Sequence, residues 1–173
     1  MTTGDGKYIV GFIGIGKMGF PMASRIAAHA YPLHVFAVSE AALTAFCSQV
    51  AASETARTPA DIGRTCEVVI LMLPDSEVVT RVLFGEDGGL AVHLSPGSVV
   101  IDMSSSDPSV TCEIGPQMKE AGVDFIDAPV SGGAQMRPDT WLWRPFLGYL
   151  VYPAGCEFNS LFGGAITRCR LTP

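Results

Sequence analysis

Short apolar runs alternate with helix-like stretches over the first 130 residues of the chain. Each run has four to six residues, most of them apolar, and is bounded by Gly, Pro, Ser or Asp. Runs without polar alternation are typical of strands covered on both faces, as in a parallel sheet. The five runs lie at residues 8–13, 33–38, 68–73, 99–103 and 123–126.

Helical periodicity and capping residues predict helices between these runs. One helix has an apolar residue at every fourth position, at Met18, Met22 and Ile26. Another opens with Asp75 and Ser76 and has an apolar stripe at Val78, Val79, Val82 and Leu83. Asp107 and Pro108 are typical of a helix start, and Gly122 is typical of its end. The alternation predicts an α/β fold, doubly wound, with a mainly parallel sheet and right-handed crossovers.

The first run leads into the segment GIGKMG, which places glycines at 14, 16 and 19. This Gly-x-Gly-x-x-Gly spacing is a weak signal by itself, but here a strand precedes it and a helix follows it. Gly14 allows a tight turn, Gly16 lets a diphosphate approach the backbone, and Gly19 lets helix and strand pack closely. Because the helix N-terminus offers unpaired N–H groups to an anion, the segment predicts a dinucleotide-binding Rossmann domain.

The end of the second run bears on the choice between NAD and NADP. A carboxylate is expected there to bind the adenosine ribose diol, but Ala37 and Val38 occupy the position. The nearest polar residues are Ser39 and Glu40, and we interpret Glu40 as the start of a solvated helix. The sequence leaves both cofactors open, and the missing acid favours NADP.

Composition excludes several classes of partner. The net charge is −6 with no basic cluster, which argues against nucleic acid and an anionic membrane. Hydrophobic residues make up 48% of the chain, yet the longest apolar run of the tail is too short to span a bilayer. Strand-like sequence begins by Tyr8, so we expect no signal or transit peptide and a cytoplasmic location. The five cysteines lack metal-ligand spacing, which predicts buried, reduced thiols and no metal site.

Read whole, GFIGIGKMGFPMASRI resembles the N-terminal signature of the β-hydroxyacid dehydrogenases. That family includes 3-hydroxyisobutyrate dehydrogenase, tartronate semialdehyde reductase and, more distantly, 6-phosphogluconate dehydrogenase. Three further segments follow in the family's order: VILMLPDSEVV, VIDMSSSDPSVT and FIDAPVSGG. The resemblance covers about residues 8–134. It implies an NAD(P)-binding domain whose cofactor exchanges a hydride with a small 3-hydroxy acid.

The resemblance also implies roles for particular residues. The cofactor-binding residues would be Gly14, Ile15, Gly16, Lys17, Met18, Gly19, Val38, Ser39, Leu73, Pro74, Val78 and Ser105. The residues that hold the carboxylate of the substrate would be Ser105, Ser131, Gly132 and Gly133. Ser105 stands where the family usually has threonine, which keeps a hydroxyl near substrate and nicotinamide. Ser104 also follows a strand end, where hydroxyls are suitable donors to a small carboxylate.

Beyond Ala134 the sequence departs from the family. Family members carry a catalytic lysine, which exchanges a proton with the substrate hydroxyl, on a long helix ahead of a helical domain. This chain has only Lys7, Lys17 and Lys119, so we assign no catalytic residue and expect the helical domain to be absent. Residues 1–134 form the predicted NAD(P)-binding domain. Residues 135–173 are interpreted as an irregular tail that follows a frameshift or a truncation.

Several functions remain open on this sequence. The chain has the features of a β-hydroxyacid dehydrogenase that is inactive without its lysine. A non-catalytic dinucleotide-binding module, an imine reductase, a 6-phosphogluconate dehydrogenase-type relative and an inert fragment are the alternatives. A Rossmann domain separated from its helical partner would expose an apolar interface. The sequence does not determine the oligomeric state.

Overall fold

A computed structural model describes residues 8–51, 53–85 and 89–130, and the backbone of residues 170–171. Strands in these residues form one sheet in the order β3-β2-β1-β4-β5-β6-β7. They are β1 (Val10–Ile13), β2 (Leu33–Phe36), β3 (Ser53–Thr55), β4 (Val68–Leu71), β5 (Val99–Asp102), β6 (Asp124–Asp127) and β7 (Arg170–Leu171). β1 to β6 are mutually parallel, and β7 runs antiparallel to β6.

Helices connect the parallel strands, as the alternation of patterns predicts. They are α1 (Gly19–Ala28), α2 (Glu40–Gln49), α3 (Pro59–Thr65), α4 (Ser76–Phe84) and α5 (Pro108–Glu120), with a 3-10 turn at Ala91–His93. Glu40 is the first residue of α2, as we interpreted it. Gly122 has a φ of +72°, the left-handed conformation that glycine adopts most readily after a helix. The doubly wound, Rossmann-like α/β fold is therefore confirmed.

The central position of β1 and β4 explains their continuous apolar sequences. Val10 pairs with Leu33 on β2 and with Val68 on β4, so β1 has a neighbour on each side. Every residue of β1 and β4 is buried. A strand covered on both faces and paired on both edges has no position at which a polar side chain would reach water.

Helices cover both faces of the sheet. Phe12 packs in a cluster with residues of α1 and α2, whereas the adjacent Ile13 packs with residues of α3, α4 and α5. Successive strand residues point to opposite faces, so these clusters lie on opposite sides of the sheet. The rings of Phe20 and Phe46 meet edge to face, with centroids 5.1 Å apart, and join α1 to α2.

The cysteine prediction is only partly right. Cys66 is buried, and loss of hydration raises the pKa of its thiol to about 11, which keeps it protonated and unreactive. Cys47 is half-buried, but Cys112 is exposed, because it lies on the solvent face of α5. These three thiols are free, and Cys156 and Cys169 lie outside the described residues.

Candidate functional site

The order of the strands reverses at β1. The chain passes from β1 to β2 in one direction along the sheet and later returns to place β4 on the other side of β1. In an open α/β sheet, ligands bind in the crevice outside the carboxyl ends of the strands at this point. The candidate site is therefore the edge of the sheet formed by the residues that follow β1, β2, β4, β5 and β6.

Backbone hydrogen bonds tie these strand ends to one another. Each donor lies just beyond its own strand, and each acceptor lies at the end of a neighbouring strand. The bonds run from Gly14 N–H to the Phe36 carbonyl at 2.9 Å, from Met72 to Ile13 at 2.9 Å, from Met103 to Leu71 at 2.9 Å, and from Ala128 to Asp102 at 2.8 Å. Because each loop starts from a fixed point, the residues of the crevice keep a defined spacing.

Close backbone packing requires two of the three glycines of the first turn. Gly14 has a φ of +106°, and a Cβ on it would overlap the carbonyl oxygen of Met72. A Cβ on Gly19 would overlap the carbonyl oxygen of Gly14. These contacts bring the start of α1 against the end of β1, and the turn against the loop that follows β4.

Gly16 differs from the other two glycines. A Cβ on Gly16 would meet no protein atom within 4 Å, and its φ is not positive. Gly16 is exposed, and it borders an open depression of about 540 Å³ together with Ile15, Lys17, Phe20 and Pro21. No contact within the described chain explains glycine at this position. An external group that approaches the backbone closely would explain it.

The N-terminus of α1 is also unlike those of the other helices. Side chains cap α2, α3, α4 and α5, through Ser39, Thr58, Asp75 and Asp107 respectively. No side chain caps α1. Among the described residues, none accepts a hydrogen bond from the backbone N–H of Gly16, Lys17 or Met18. Unpaired N–H groups beside an open glycine fit the diphosphate of a dinucleotide.

The other predicted residues of the first turn differ in the exposure of their side chains. Lys17 is exposed at the rim of the depression, and Met18 is half-buried. Ile15 is buried in the cluster beneath α1 and α2, so its side chain serves the core, and only its backbone faces the turn.

The residues after β2 form the second part of the site. Val38 is 95% exposed, so its side chain is available to a ligand. The Ser39 hydroxyl accepts a hydrogen bond from Ala42 N–H at 3.3 Å, so it already caps α2. As the sequence indicates, no carboxylate directly follows this strand.

The loop after β4 lies beside the first turn. A Cβ on Gly14 would lie 3.3 Å from Cδ2 of Leu73, which shows how close the two loops are. Leu73 is half-buried, Pro74 is exposed, and Val78 is half-buried in the first turn of α4. The structure therefore brings all three of these predicted residues to the same edge of the sheet as the glycine turn.

The loop after β5 contains two serines with different environments. Ser104 is buried, and its Oγ accepts a hydrogen bond from the backbone N–H of Leu73 at 2.9 Å. Its hydroxyl therefore holds the loop that follows β4. Ser105 is exposed and has no hydrogen-bond partner among the described residues, so its hydroxyl is available to a ligand.

Sequence reasoning missed the buried carboxylate of Asp102, the last residue of β5. Its Oδ1 accepts a hydrogen bond from Ser104 N–H at 2.9 Å, and its Oδ2 accepts one from Ser106 Oγ at 2.8 Å. The signal was present in the sequence as an aspartate at the end of an apolar run, with serines two and four positions later.

Ser131, Gly132 and Gly133 lie outside the described residues. Lys119 is exposed near the end of α5, the helix that starts at the crevice and runs away from it.

Within the described ranges, no group of His, Cys, Asp and Glu residues could hold a metal ion. No helix in those ranges is long and apolar enough to cross a lipid bilayer.

Comparison with known proteins identifies the family. Residues 9–139 match the NAD binding domain of 6-phosphogluconate dehydrogenase. The chain is 40% identical to mitochondrial 3-hydroxyisobutyrate dehydrogenase from Rattus norvegicus over 127 residues, and these residues are 73% of this chain. This chain belongs to the β-hydroxyacid dehydrogenase family. A nicotinamide dinucleotide is therefore the cofactor class of its Rossmann domain.

A further relative and a solved structure are similar to the same part of the chain. The chain is 39% identical to 2-hydroxy-3-oxopropionate reductase from Escherichia coli K12 over 124 residues, which are 72% of this chain. The solved structure of Psf3 in complex with NADP+ and 2-OPP superposes with a TM-score of 0.68 at 30% identity, over 73% of this chain and 44% of Psf3. The chain spans 37% of the rat enzyme and 41% of the bacterial one.

Proposed function

We propose that the crevice binds NADP or NAD with its diphosphate over the turn between β1 and α1. The observation that carries the proposal is the open space above Gly16, beside the one α-helix start in the described chain that lacks a side-chain cap. The strand order indicates which of the remaining residues contact each half of the dinucleotide. The adenosine half extends over Val38 and Ser39, and the nicotinamide half extends toward Leu73, Pro74, Val78 and Ser105.

Isothermal titration of the full chain with NADPH and NADH tests this proposal. We expect saturable binding of at least one coenzyme at one site per chain. The absence of binding by either coenzyme, with a protein that shows a cooperative unfolding transition, would contradict it.

The cofactor that we favour is NADP. No acid directly follows β2, so no carboxylate at the strand end selects the free ribose diol or repels a 2′-phosphate, and Glu40 begins α2 two residues beyond Val38. Arg57 supports the same choice. Ala56 N–H donates to the Val35 carbonyl at 2.9 Å, which extends the pairing of β3 with β2 and places Arg57 beyond the carboxyl end of β3. The exposed guanidinium of Arg57 is then one strand away from Val38.

Substitution of Arg57 tests the preference. Arg57→Ala should weaken NADPH binding roughly tenfold, because a hydrogen bond to a charged group is lost, and should leave NADH binding within about twofold. Arg81→Ala, which removes an exposed arginine paired with Glu77 on α4, is the matched control. Equal losses for the two coenzymes in Arg57→Ala would contradict a contact with the 2′-phosphate.

The reaction that we propose for this lineage is hydride transfer between the nicotinamide and a small 3-hydroxy acid. NAD(P) supplies the chemistry by accepting or donating the hydride. The chain would contribute the exposed hydroxyl of Ser105, together with Ser131, Gly132 and Gly133, as donors to the substrate carboxylate. Its similarity to rat 3-hydroxyisobutyrate dehydrogenase and to Escherichia coli 2-hydroxy-3-oxopropionate reductase supports this substrate class.

The same site also supports a second function, a non-catalytic dinucleotide-binding module. Among the described residues the family's proton-transfer lysine has no counterpart, since Lys17 lies at the phosphate turn and Lys119 on the far part of α5. Loss of a general acid or base typically costs ~10²–10⁴-fold in rate. Coenzyme binding without turnover of 3-hydroxyisobutyrate would favour the module, and measurable turnover would favour the enzyme.

We further propose that residues 135–173 result from an altered reading frame. The match to the family domain ends at residue 139, and the segment beyond Ala134 contains both tryptophans and no lysine. Resequencing of the gene tests this idea, because a shifted frame should encode a lysine-containing helix. If no other reading frame beyond residue 135 encodes such a helix, the proposal is contradicted.

The cytoplasm, where an exposed thiol such as Cys112 stays reduced, is the location we propose.

A further inference from the structure

Two loops of the nicotinamide side are joined by a short chain of hydrogen bonds. Asp102 is the last residue of β5 and its side chain is fully buried. Its two carboxylate oxygens accept from Ser104 N–H and from Ser106 Oγ, at 2.9 and 2.8 Å. A carboxylate that bonds the chain two and four residues ahead fixes the path of the loop immediately after the strand.

Ser104 carries this constraint to the next loop. Its Oγ accepts from Leu73 N–H at 2.9 Å, a bond between residues that are 31 positions apart. A second bond joins the same two loops farther out, from Asp107 N–H to Ser76 Oγ at 2.6 Å. The loop after β4 is therefore held to the loop after β5 at two points.

Ser105 lies between the two anchored serines. Its neighbours on both sides bond to Asp102, whereas Ser105 is exposed and has no hydrogen-bond partner among the described residues. The anchors restrict where the Ser105 hydroxyl lies without occupying it. Such preorganisation lowers the cost of binding, because the protein does not have to order the loop around the ligand.

We infer that Asp102 is a positioning residue, which acts through Ser104 to fix Leu73 and Ser105 around the nicotinamide half of the cofactor. The inference rests on the proposed function and adds to it a buried residue that touches no ligand. It predicts that loss of these hydrogen bonds weakens binding of the nicotinamide half of the dinucleotide more than binding of the adenosine half. The adenosine half lies over β1 and β2, away from these hydrogen bonds, and should not depend on them.

The test compares two ligands in matched variants of the full chain. NADPH reports on both halves of the site, and adenosine 2′,5′-bisphosphate reports on the adenosine half alone. Ser104→Ala removes the acceptor for Leu73 N–H, and we expect NADPH to bind roughly fivefold more weakly, the factor that one hydrogen bond is typically worth. Binding of the bisphosphate should change less than about twofold.

Ser98→Ala is the matched control, because Ser98 is a buried serine just before the other end of β5. It should leave the affinities for both ligands unchanged. Asp102→Asn should restore most of the NADPH affinity that Asp102→Ala loses, since an amide oxygen accepts from Ser104 N–H and the amide NH₂ group can donate to Ser106 Oγ. Thermal unfolding identifies any variant that fails to fold, and Ser104→Ala then carries the test.

Each outcome has one meaning. Selective loss of NADPH affinity in Ser104→Ala, with recovery in Asp102→Asn, supports the positioning role. Equal weakening of both ligands, or loss of stability without any change in affinity, contradicts it and leaves the proposed function intact. Failure of the unsubstituted chain to bind NADPH contradicts the proposed function itself.

Discussion

The turn after β1 and the turn after β5 have the same topology but satisfy their backbone groups differently. Each turn leaves a central strand and leads into a helix on the same edge of the sheet. After β5, Asp102 and Asp107 accept hydrogen bonds from the backbone of the turn and of the helix start. After β1, no side chain caps the helix, and the N–H groups of Gly16 and Lys17 have no acceptor in the described chain.

The two turns therefore differ in whether their backbone N–H groups are satisfied by the protein itself or left open to a ligand. A turn that satisfies its own N–H groups is stable without a ligand, and it can hold neighbouring side chains in place. A turn that leaves those groups open is less favourable alone and gains most from an anion. The contrast can be tested by substitutions that affect stability in one case and binding in the other.

The largest effect should come from Gly14→Ala. The substitution forces an alanine to a φ of +106° and drives its Cβ into the Met72 carbonyl oxygen. We expect the free energy of unfolding to fall by about 3 kcal/mol or more, measured by urea denaturation. A loss below about 1 kcal/mol would show that the turn relaxes easily and that its backbone packing is not required.

Gly16→Ala should have the opposite character. Because a Cβ there meets no protein atom, the free energy of unfolding should stay within about 0.5 kcal/mol of the unsubstituted value. Coenzyme affinity should fall by at least ~10-fold, or 1.4 kcal/mol, since the methyl group occupies the space of the diphosphate. Unchanged affinity would mean that the ligand does not approach this residue.

Asp75→Ala sharpens the comparison at a self-capped helix. Asp75 Oδ1 accepts from Val78 N–H at 2.9 Å, and removal of such a cap should lower the free energy of unfolding by about 1 kcal/mol. Glu77→Ala, an exposed change two residues away, removes the pair with Arg81 and a negative charge in the first turn of α4 but leaves the cap, and it should cost about 0.5 kcal/mol. Equal urea midpoints for the two variants would argue against the capping role.

The smallest effect should appear in the pH dependence of stability. Hydrogen bonds from the side chain and backbone of Ser109 lower the pKa of Asp107 from its ordinary value of 3.8. A carboxyl that is more acidic in the folded state stabilises the fold above pH 3.8, and this contribution is lost as pH falls through the lower, folded value. Asp107→Asn keeps an acceptor but does not titrate.

The measurement for Asp107 is the difference in free energy of unfolding between the unsubstituted protein and Asp107→Asn. This difference should be constant above about pH 5 and should shrink as the solution is acidified below pH 3.8. A difference that grows on acidification would have the wrong sign for a lowered pKa.

Much of the fold was predictable because its signals are local. The strands β1 and β4 are central and apolar throughout, and the glycine spacing after β1 stands in direct sequence context. The strand β3 was missed, because it is a three-residue edge strand with the polar sequence Ser-Glu-Thr and no buried side chain. Its pairing with β2 comes from the position of the chain in the sheet, and no apolar run marks it.

Without the family resemblance, the candidate site was predictable only where backbone shape determines it. The spacing of Gly14 and Gly19 reports a steric requirement that survives in sequence. The roles of Ser104 and Ser105 do not, because adjacent serines look identical until the structure shows that one is buried against Leu73 N–H and the other is exposed. Hydrogen bonds between residues 31 positions apart leave no local pattern.

The place of β1 in the sheet has a consequence for synthesis on the ribosome. β1 gains its first neighbour when β2 has been made, but its second neighbour begins only at Val68. Until then the nascent chain presents one unpaired apolar strand edge while α2, β3 and α3 are being translated. Completion of the middle of the sheet is therefore a late, non-local event, and this interval is when a chaperone would matter most to the chain.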